Sequence, residues 1–190
     1  MRIAVTGAAT GIGAEASRIL SDRGDTVVAF DIKEPGENFD VFHQIDLSDP
    51  ASIERVAAEV DGSFDALLNI AGVPPRADDT QLGNAVQVLA VNFMGLRQFT
   101  LAMLENLNEG AAIVNIASRA GGQWRENLDQ VKALMALSED VSLENFCTHN
   151  EVDSTRSYNL SKEAVIVWTL AQTESLIAKG LRMNTLSPGG

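Results

Sequence analysis

Arg2-Ile3-Ala4-Val5-Thr6-Gly7-Ala8-Ala9-Thr10-Gly11-Ile12-Gly13 decides how the rest of the chain is read. Arg2 to Val5 is short and rich in β-branched residues, and Ala14 to Arg23 carries apolar residues at helical spacing, so the order is strand, tight turn, helix. Glycines at 7, 11 and 13 let the backbone turn sharply and approach a pyrophosphate. The helix that follows aims free amides and the positive end of its dipole at the phosphates. A merely tight connection would use the same glycines, so the reading depends on its neighbours.

Thr26 to Phe30 forms a second apolar run and ends at Asp31, about twenty residues past the turn, where dinucleotide-binding folds place an acid on the adenosine ribose. A carboxylate there accepts hydrogen bonds from both ribose hydroxyls and repels a 2′-phosphate, which favours NAD over NADP. Thr10 and Ile32 flank the position without a guanidinium, and Lys33 is the cation beside it. Capping the turn before Pro35 and Gly36 is the alternative task for Asp31.

Residues 33 to 44 are polar, with Val41-Phe42 opening a short strand. In Asp46-Leu47-Ser48 the aspartate is placed to accept from an adenine amino group, and Ser48 reads as the N-cap of a helix from Pro50 to Val60. Phe64 to Ala71 is a buried-strand pattern ending in Asn69-Ile70-Ala71-Gly72, small residues that suit a ligand crevice at strand ends. Leu82 to Leu107 reads as one long helix. Asn92 inside it has poor helix propensity, so it is either exposed or held there by a specific task. Ala111 to Ala117 is the next strand with Ser118 at its carboxyl end, and Leu181 to Ser187 is a sixth. Strands alternating with helices imply βαβ units and a parallel sheet, an α/β domain of the doubly wound Rossmann type spanning residues 1–190.

Tyr158-Asn159-Leu160-Ser161-Lys162 contains the only tyrosine. On a helix, the four-residue spacing puts phenol and ammonium on one face, with Cβ atoms about 5 to 6 Å apart. A free phenol has a pKa of about 10, and making it a base near neutrality requires about 4 kcal/mol. An ammonium about 5 Å away at an effective dielectric near 20 supplies about 3 kcal/mol of that. A surface tyrosine beside a surface lysine is the plainer alternative.

Composition narrows the function classes. Fourteen basic against 26 acidic residues give a net charge of −12, a poor start for binding nucleic acid or an anionic membrane. Cys147 is the only cysteine, which excludes an intrachain disulfide or a cysteine-based metal cluster and fits a reducing, cytoplasmic setting. Met1-Arg2 runs directly into a strand with no apolar leader, and no run has transmembrane length. The sequon at Asn159 is incidental in such a setting.

Taken in order, these residues resemble the short-chain dehydrogenase/reductase family. The glycine turn, Asp31, Asp46, Asn69-x-Ala71-Gly72, Asn92, Ser118, Tyr158-x-x-x-Lys162, and Asn184 with Pro188-Gly189 all carry the likeness. The resemblance implies strand order 3-2-1-4-5-6 and hydride transfer between NAD and a small-molecule alcohol or carbonyl substrate. It implies a catalytic tetrad in which Ser118 hydrogen-bonds the substrate oxygen and Tyr158 takes or gives the proton. Lys162 lowers the phenol pKa and holds the nicotinamide ribose, and Asn92 positions a water. The cofactor would be held by Gly7, Thr10, Gly11, Ile12 and Gly13, by Asp31-Ile32 and Asp46-Leu47, and by Asn69, Ala71 and Gly72. Tyr158, Lys162, Pro188 and Gly189 complete that set, with no metal, in a homodimer or homotetramer.

Two features depart from the family pattern. Ser118 and Tyr158 are 40 residues apart, where family members hold them much closer, so 119–157 reads as an insertion. Leu128, Val131, Leu134 and Leu137 put a helix in it, and Leu143 with Phe146 a second. Their apolar stripe must meet the substrate pocket, a partner subunit or the parent domain. Such an insertion resembles the branch of bacterial 3α-hydroxysteroid and coniferyl-alcohol dehydrogenases. Ala120-Gly121-Gly122-Gln123-Trp124 and Glu163 to Trp168 look closer to the coniferyl type, with Trp124 a candidate aromatic wall for a planar substrate. The second departure is the stop at Pro188-Gly189-Gly190, where family members continue into a lid and a seventh strand; a missing tail is the expectation. A non-catalytic dinucleotide sensor or scaffold and an NADP-linked carbonyl reductase stay open as alternatives.

Overall fold

The computed structural model describes residues 1–76, 81–137 and 141–189. Its frame is a six-stranded parallel sheet of β1 (Arg2–Thr6), β2 (Thr26–Asp31), β3 (Val41–Gln44), β4 (Phe64–Asn69), β5 (Leu107–Ile116) and β6 (Arg182–Leu186), in the order β3-β2-β1-β4-β5-β6. β1 pairs with β2 on one side and β4 on the other, and Ala4 and Val5 are wholly buried. That position explains its unbroken apolar run, since a strand covered on both faces has no polar side to alternate.

The helices cover the sheet in two layers. Leu20 of α1 (Gly11–Asp22) packs with Ile3, Val5, Val27 and Ala29 on one face. On the other, Ile53 and Val56 of α2 (Pro50–Glu59) pack with Ala4, Val28, Phe30 and Leu67. The cap of α2 is Asp49, whose carboxylate accepts from the Ala51 amide at 3.0 Å ahead of Pro50. Ser48, the cap expected from sequence, instead donates its amide and hydroxyl to Asp46 Oδ1 at 2.8 and 2.6 Å.

The long helix expected over 82–107 is broken into α3 (Gln81–Leu89), a π-helical turn (Ala90–Gly95) and α4 (Leu96–Ala102), and β5 has begun by Leu107. Asn92 lies in the π turn and is fully buried, so the exposed alternative is wrong. Its Oδ1 accepts from Val73 N at 2.7 Å and its Nδ2 donates to Val73 O at 3.0 Å, which ties the irregular turn to the loop after β4. π turns recur where a helix is bent to serve a site.

Between Ser118 and Tyr158 lie a 3₁₀ turn (Arg119–Gly121), α5 (Leu128–Met135) and α6 (Leu143–His149), followed by α7 (Ser154–Ala171) and the short α8 (Thr173–Ile177). Both helices expected from sequence are present; residues 138–140 between them and Gly190 at the end lie outside the described residues. The apolar stripe meets the parent domain. Val131, Leu134, Phe146 and Cys147 are buried with Ala85 and Leu89 of α3 and Leu160 and Ala164 of α7.

Covered on several sides, α7 buries every residue from Leu160 to Val165. Among them is Glu163, 1% exposed, whose Oε2 takes a 2.7 Å bond from Arg156 Nη2 and whose Oε1 takes one of 2.8 Å from Asn127. Arg156 Nε also donates to Gln130 of α5 at 2.7 Å, so one ion pair clamps α5 and its entry turn to α7. Glu163→Ala leaves the guanidinium without its counter-charge. Because Arg156 is 22% exposed the expected cost is reduced to about 2 kcal/mol, a melting temperature lower by about 4 to 8 °C in thermal unfolding.

Candidate active site

At the carboxyl ends of β1, β2 and β4, where the strand order reverses, opens a cavity of about 410 Å³. The glycine turn forms its floor. Gly7 has φ +70°, and a Cβ on it would sit 2.7 Å from the Ala71 backbone; a Cβ on Gly13 would run into the Gly7 carbonyl oxygen. Neither tolerates a side chain, so α1 lies directly on the turn. Thr10 precedes α1 without a side-chain capping bond, and the first turn holds no acid. The leading amides of α1 therefore keep their attraction for an anion, which fits the diphosphate of a dinucleotide.

Asp31 stands on the wall of this cavity beside Ile32. Its Oδ2 accepts from Ala9 N at 3.0 Å and its Oδ1 from Lys33 N at 3.1 Å, so it does cap the local turn. Each carboxylate oxygen retains a free lone pair, which leaves room for ribose hydroxyls as well. Asp46, Leu47, Ala71 and Gly72 line the same space, as do Thr10, Gly11 and Ile12. Asn69 does not. It is 1% exposed, and its Nδ2 donates to Thr100 Oγ1 and to Asn115 Oδ1, both at 2.8 Å. Asn115 is its register partner on β5 and donates in turn to Thr169 of α7 at 3.0 Å, so the pair braces the strand ends beneath the site.

A second cavity of about 760 Å³ shares Ile12, Ile70, Gly72 and Val73 with the first. Ser118 enters it from the end of β5, Tyr158 and Lys162 from α7, and Pro188 and Gly189 from beyond β6. Ser118 Oγ accepts from Ala120 N at 3.2 Å, which leaves its O–H to donate. Lys162 Nζ lies 5.9 Å from the centre of the Tyr158 ring and donates to the Ile116 carbonyl at 2.8 Å. Lys162 is 4% exposed, and burial pushes its pKa down to about 8.

Asn92 lies behind this wall. It reaches Val73 as described and Ser161 Oγ at 3.3 Å, and a Cβ on Gly72 would come within 3.3 Å of its Oδ1 and 3.6 Å of Lys162 Nζ. The candidate wall Trp124 is not among the lining residues; its ring carries the Arg125 guanidinium 4.1 Å from its centre. Among the described residues no cluster of three or more His, Cys, Asp or Glu is placed to hold a metal, and no helix is long and apolar enough to cross a membrane.

Comparison with known proteins agrees with this geometry. The family model for short chain dehydrogenase matches residues 1–129. Coniferyl-alcohol dehydrogenase of Pseudomonas sp. (strain HR199 / DSM 7063) is 35% identical over 189 residues, 99% of this chain and 72% of the relative. The 3-alpha-hydroxysteroid dehydrogenase/carbonyl reductase of Comamonas testosteroni is 27% identical over 192 residues, 98% of this chain and 71% of that one. Among solved structures, 3-alpha-hydroxysteroid dehydrogenase from Pseudomonas sp. B-0831 complexed with NADH superposes with a TM-score of 0.82 at 27% identity, covering all of this chain and 72% of the other. The chain belongs to the short-chain dehydrogenase family and is an oxidoreductase by that membership.

Proposed function

We propose that the protein is an NAD-dependent dehydrogenase of hydrophobic alcohols, coniferyl-alcohol-like or 3α-hydroxysteroid-like, acting reversibly on the corresponding carbonyl compounds. The observation that carries this reading is the meeting of Ser118, Tyr158 and Lys162 in one cavity that shares a wall with the glycine-lined one. When bound, the nicotinamide supplies the acceptor for hydride. The chain supplies the rest. Ser118 donates its O–H to the substrate oxygen, the Lys162 ammonium stabilises Tyr158 as the phenolate, and that phenolate takes the hydroxyl proton and becomes the neutral phenol. Asn92 acts at one remove, holding Val73 and Ser161 in place.

Ile12, Val73, Pro74 and Ile116 give the second cavity apolar walls, which supports a hydrophobic substrate. The relatives named for coniferyl alcohol and 3α-hydroxysteroids support the same class. Protein mixed with NAD and either alcohol is expected to form NADH at its 340 nm absorbance band. Tight NADH binding with no turnover across an alcohol panel would leave only a dinucleotide-binding protein.

The preference for NAD rests on Asp31. Wild type is expected to bind NADH at least about tenfold more tightly than NADPH, and Asp31→Ser to remove most of that difference, as read by titration of cofactor fluorescence. Equal affinities in the wild type would overturn the preference.

A further inference from the structure

The second cavity holds a charge that the proposed chemistry leaves unused. Two side chains lining it are ionised, Lys162 and Arg119, both are cations, and no Asp or Glu lines it among the described residues. This is unexpected in a chain of net charge −12. Lys162 has a task beside Tyr158. Arg119 has none: among the described residues its side chain makes no hydrogen bond or ion pair, although the surface offers nearly twice as many acids as bases. Elsewhere Arg18, Arg23, Arg55, Arg156 and Lys179 are paired with carboxylates, whereas Lys33 and Lys132, which have no side-chain partner among the described residues, do not line this cavity.

The backbone under Arg119 is fixed. Ser118 Oγ accepts from Ala120 N, Gly121 N donates to Ser118 O at 3.0 Å, and Gly122 N donates to Arg119 O at 3.0 Å. Gly121 lies so close to α7 that a Cβ there would stand 2.9 Å from the Lys162 carbonyl. The guanidinium is thus carried on a rigid turn between Ser118, which meets the substrate oxygen, and the helix that carries Tyr158. An arginine at that place presents a planar donor fork to a carboxylate or phenolate on the far part of the substrate.

Building on the dehydrogenase reading above, we propose that Arg119 forms an anion subsite, and that the preferred substrate is a hydrophobic alcohol that also bears a carboxylate or an ionised phenol. The apolar wall takes the skeleton and Arg119 takes the charge. Because Arg119 is exposed, its contribution falls as salt rises.

The test uses the full chain saturated with NADH and two isosteric probes, trans-cinnamate and its neutral amide, titrated by isothermal calorimetry. Wild type is expected to bind cinnamate about 10- to 100-fold more tightly than the amide at low salt, with the gap shrinking at 0.5 M sodium chloride. Arg119→Gln is expected to close the gap while keeping the wild-type melting temperature and NADH affinity. A gap that survives Arg119→Gln, or none in the wild type, overturns the subsite. Loss of NADH affinity in Arg119→Gln with the gap intact assigns the guanidinium to the cofactor and also overturns it. These titrations need no turnover, so an Arg119-dependent gap in a protein that oxidises no alcohol supports the subsite while rejecting the dehydrogenase reading.

Discussion

Tyr158→Phe is expected to lower kcat by about 10³-fold and leave NADH affinity within about twofold of wild type. The phenyl ring keeps the packing and loses only the O–H. What makes the prediction sharp is the poverty of alternatives. The second cavity is lined by no carboxylate and no imidazole among the described residues, and its other proton-carrying side chains are Ser118, Arg119 and Lys162. A serine is too weak an acid to serve as the base unaided, and arginine does not deprotonate in proteins. Lys162 has its ammonium bonded to the Ile116 carbonyl. Unchanged turnover in Tyr158→Phe would require a base from outside this set and would remove the mechanism.

Lys162→Met has two separable effects. Turnover is expected to fall by about 10² to 10³-fold, because the phenolate loses the charge that stabilises it. Stability changes with pH in the opposite sense to the loss of function. Burial lowers the lysine pKa from 10.5 to about 8 in the folded protein. Below pH 8 both folded and unfolded chains carry the proton, and the folded state bears the full cost of a buried charge. Between about pH 8 and 10.5 the unfolded chain holds more protons than the folded one, so wild type gains stability from this group as pH rises. The displacement corresponds to about 3 kcal/mol over that window. In urea melts of cofactor-free protein at pH 7.5 and 10.5, wild type is expected to gain about that much relative to Lys162→Met. A constant difference between the two proteins would show that the ammonium is not desolvated as the structure has it.

The same contrast between local and distant forces explains what the chain reveals unaided. The turn from Thr6 to Gly13 and the strand before it are legible because their geometry is local: a glycine pattern, a β-branched run, a helical period. Asp31, Ser118, Tyr158 and Lys162 are legible for the same reason, each standing at a strand end or one helical turn apart. Asn92 is not. Its bent turn is imposed by bonds to Val73, 19 residues away, and no helix propensity reports them. The start of β5 is hidden because Asn108, Glu109 and Gly110 are exposed and polar, so the strand does not read as an apolar run. Ser48 and Asp49 are both competent caps in adjacent positions, and only the bond from Ser48 to Asp46 decides between them.

Other residues go unseen because their partners are remote. Nothing in the local sequence marks Glu163 and Arg156 as a clamp, because Asn127 and Gln130, which complete it, lie 36 and 26 residues away. Asn69, read from sequence as a cofactor ligand, is buried beneath the strand ends with its Nδ2 donating to Thr100 and Asn115. Arg119 adjoins Ser118 in sequence, yet only the fold shows that it lines the same cavity with no partner among the described residues.

In the proposed reaction a hydride passes from the substrate carbinol carbon to the cofactor while Tyr158 takes the proton. Coniferyl alcohol deuterated at its carbinol carbon, incubated with NAD and the protein, tests it most directly by mass spectrometry of the reduced cofactor. NADH formed by wild type is expected to carry one deuterium, and Tyr158→Phe is expected to form almost no NADH in the same time. Reduced cofactor without deuterium, or equal yields from the two proteins, would contradict it.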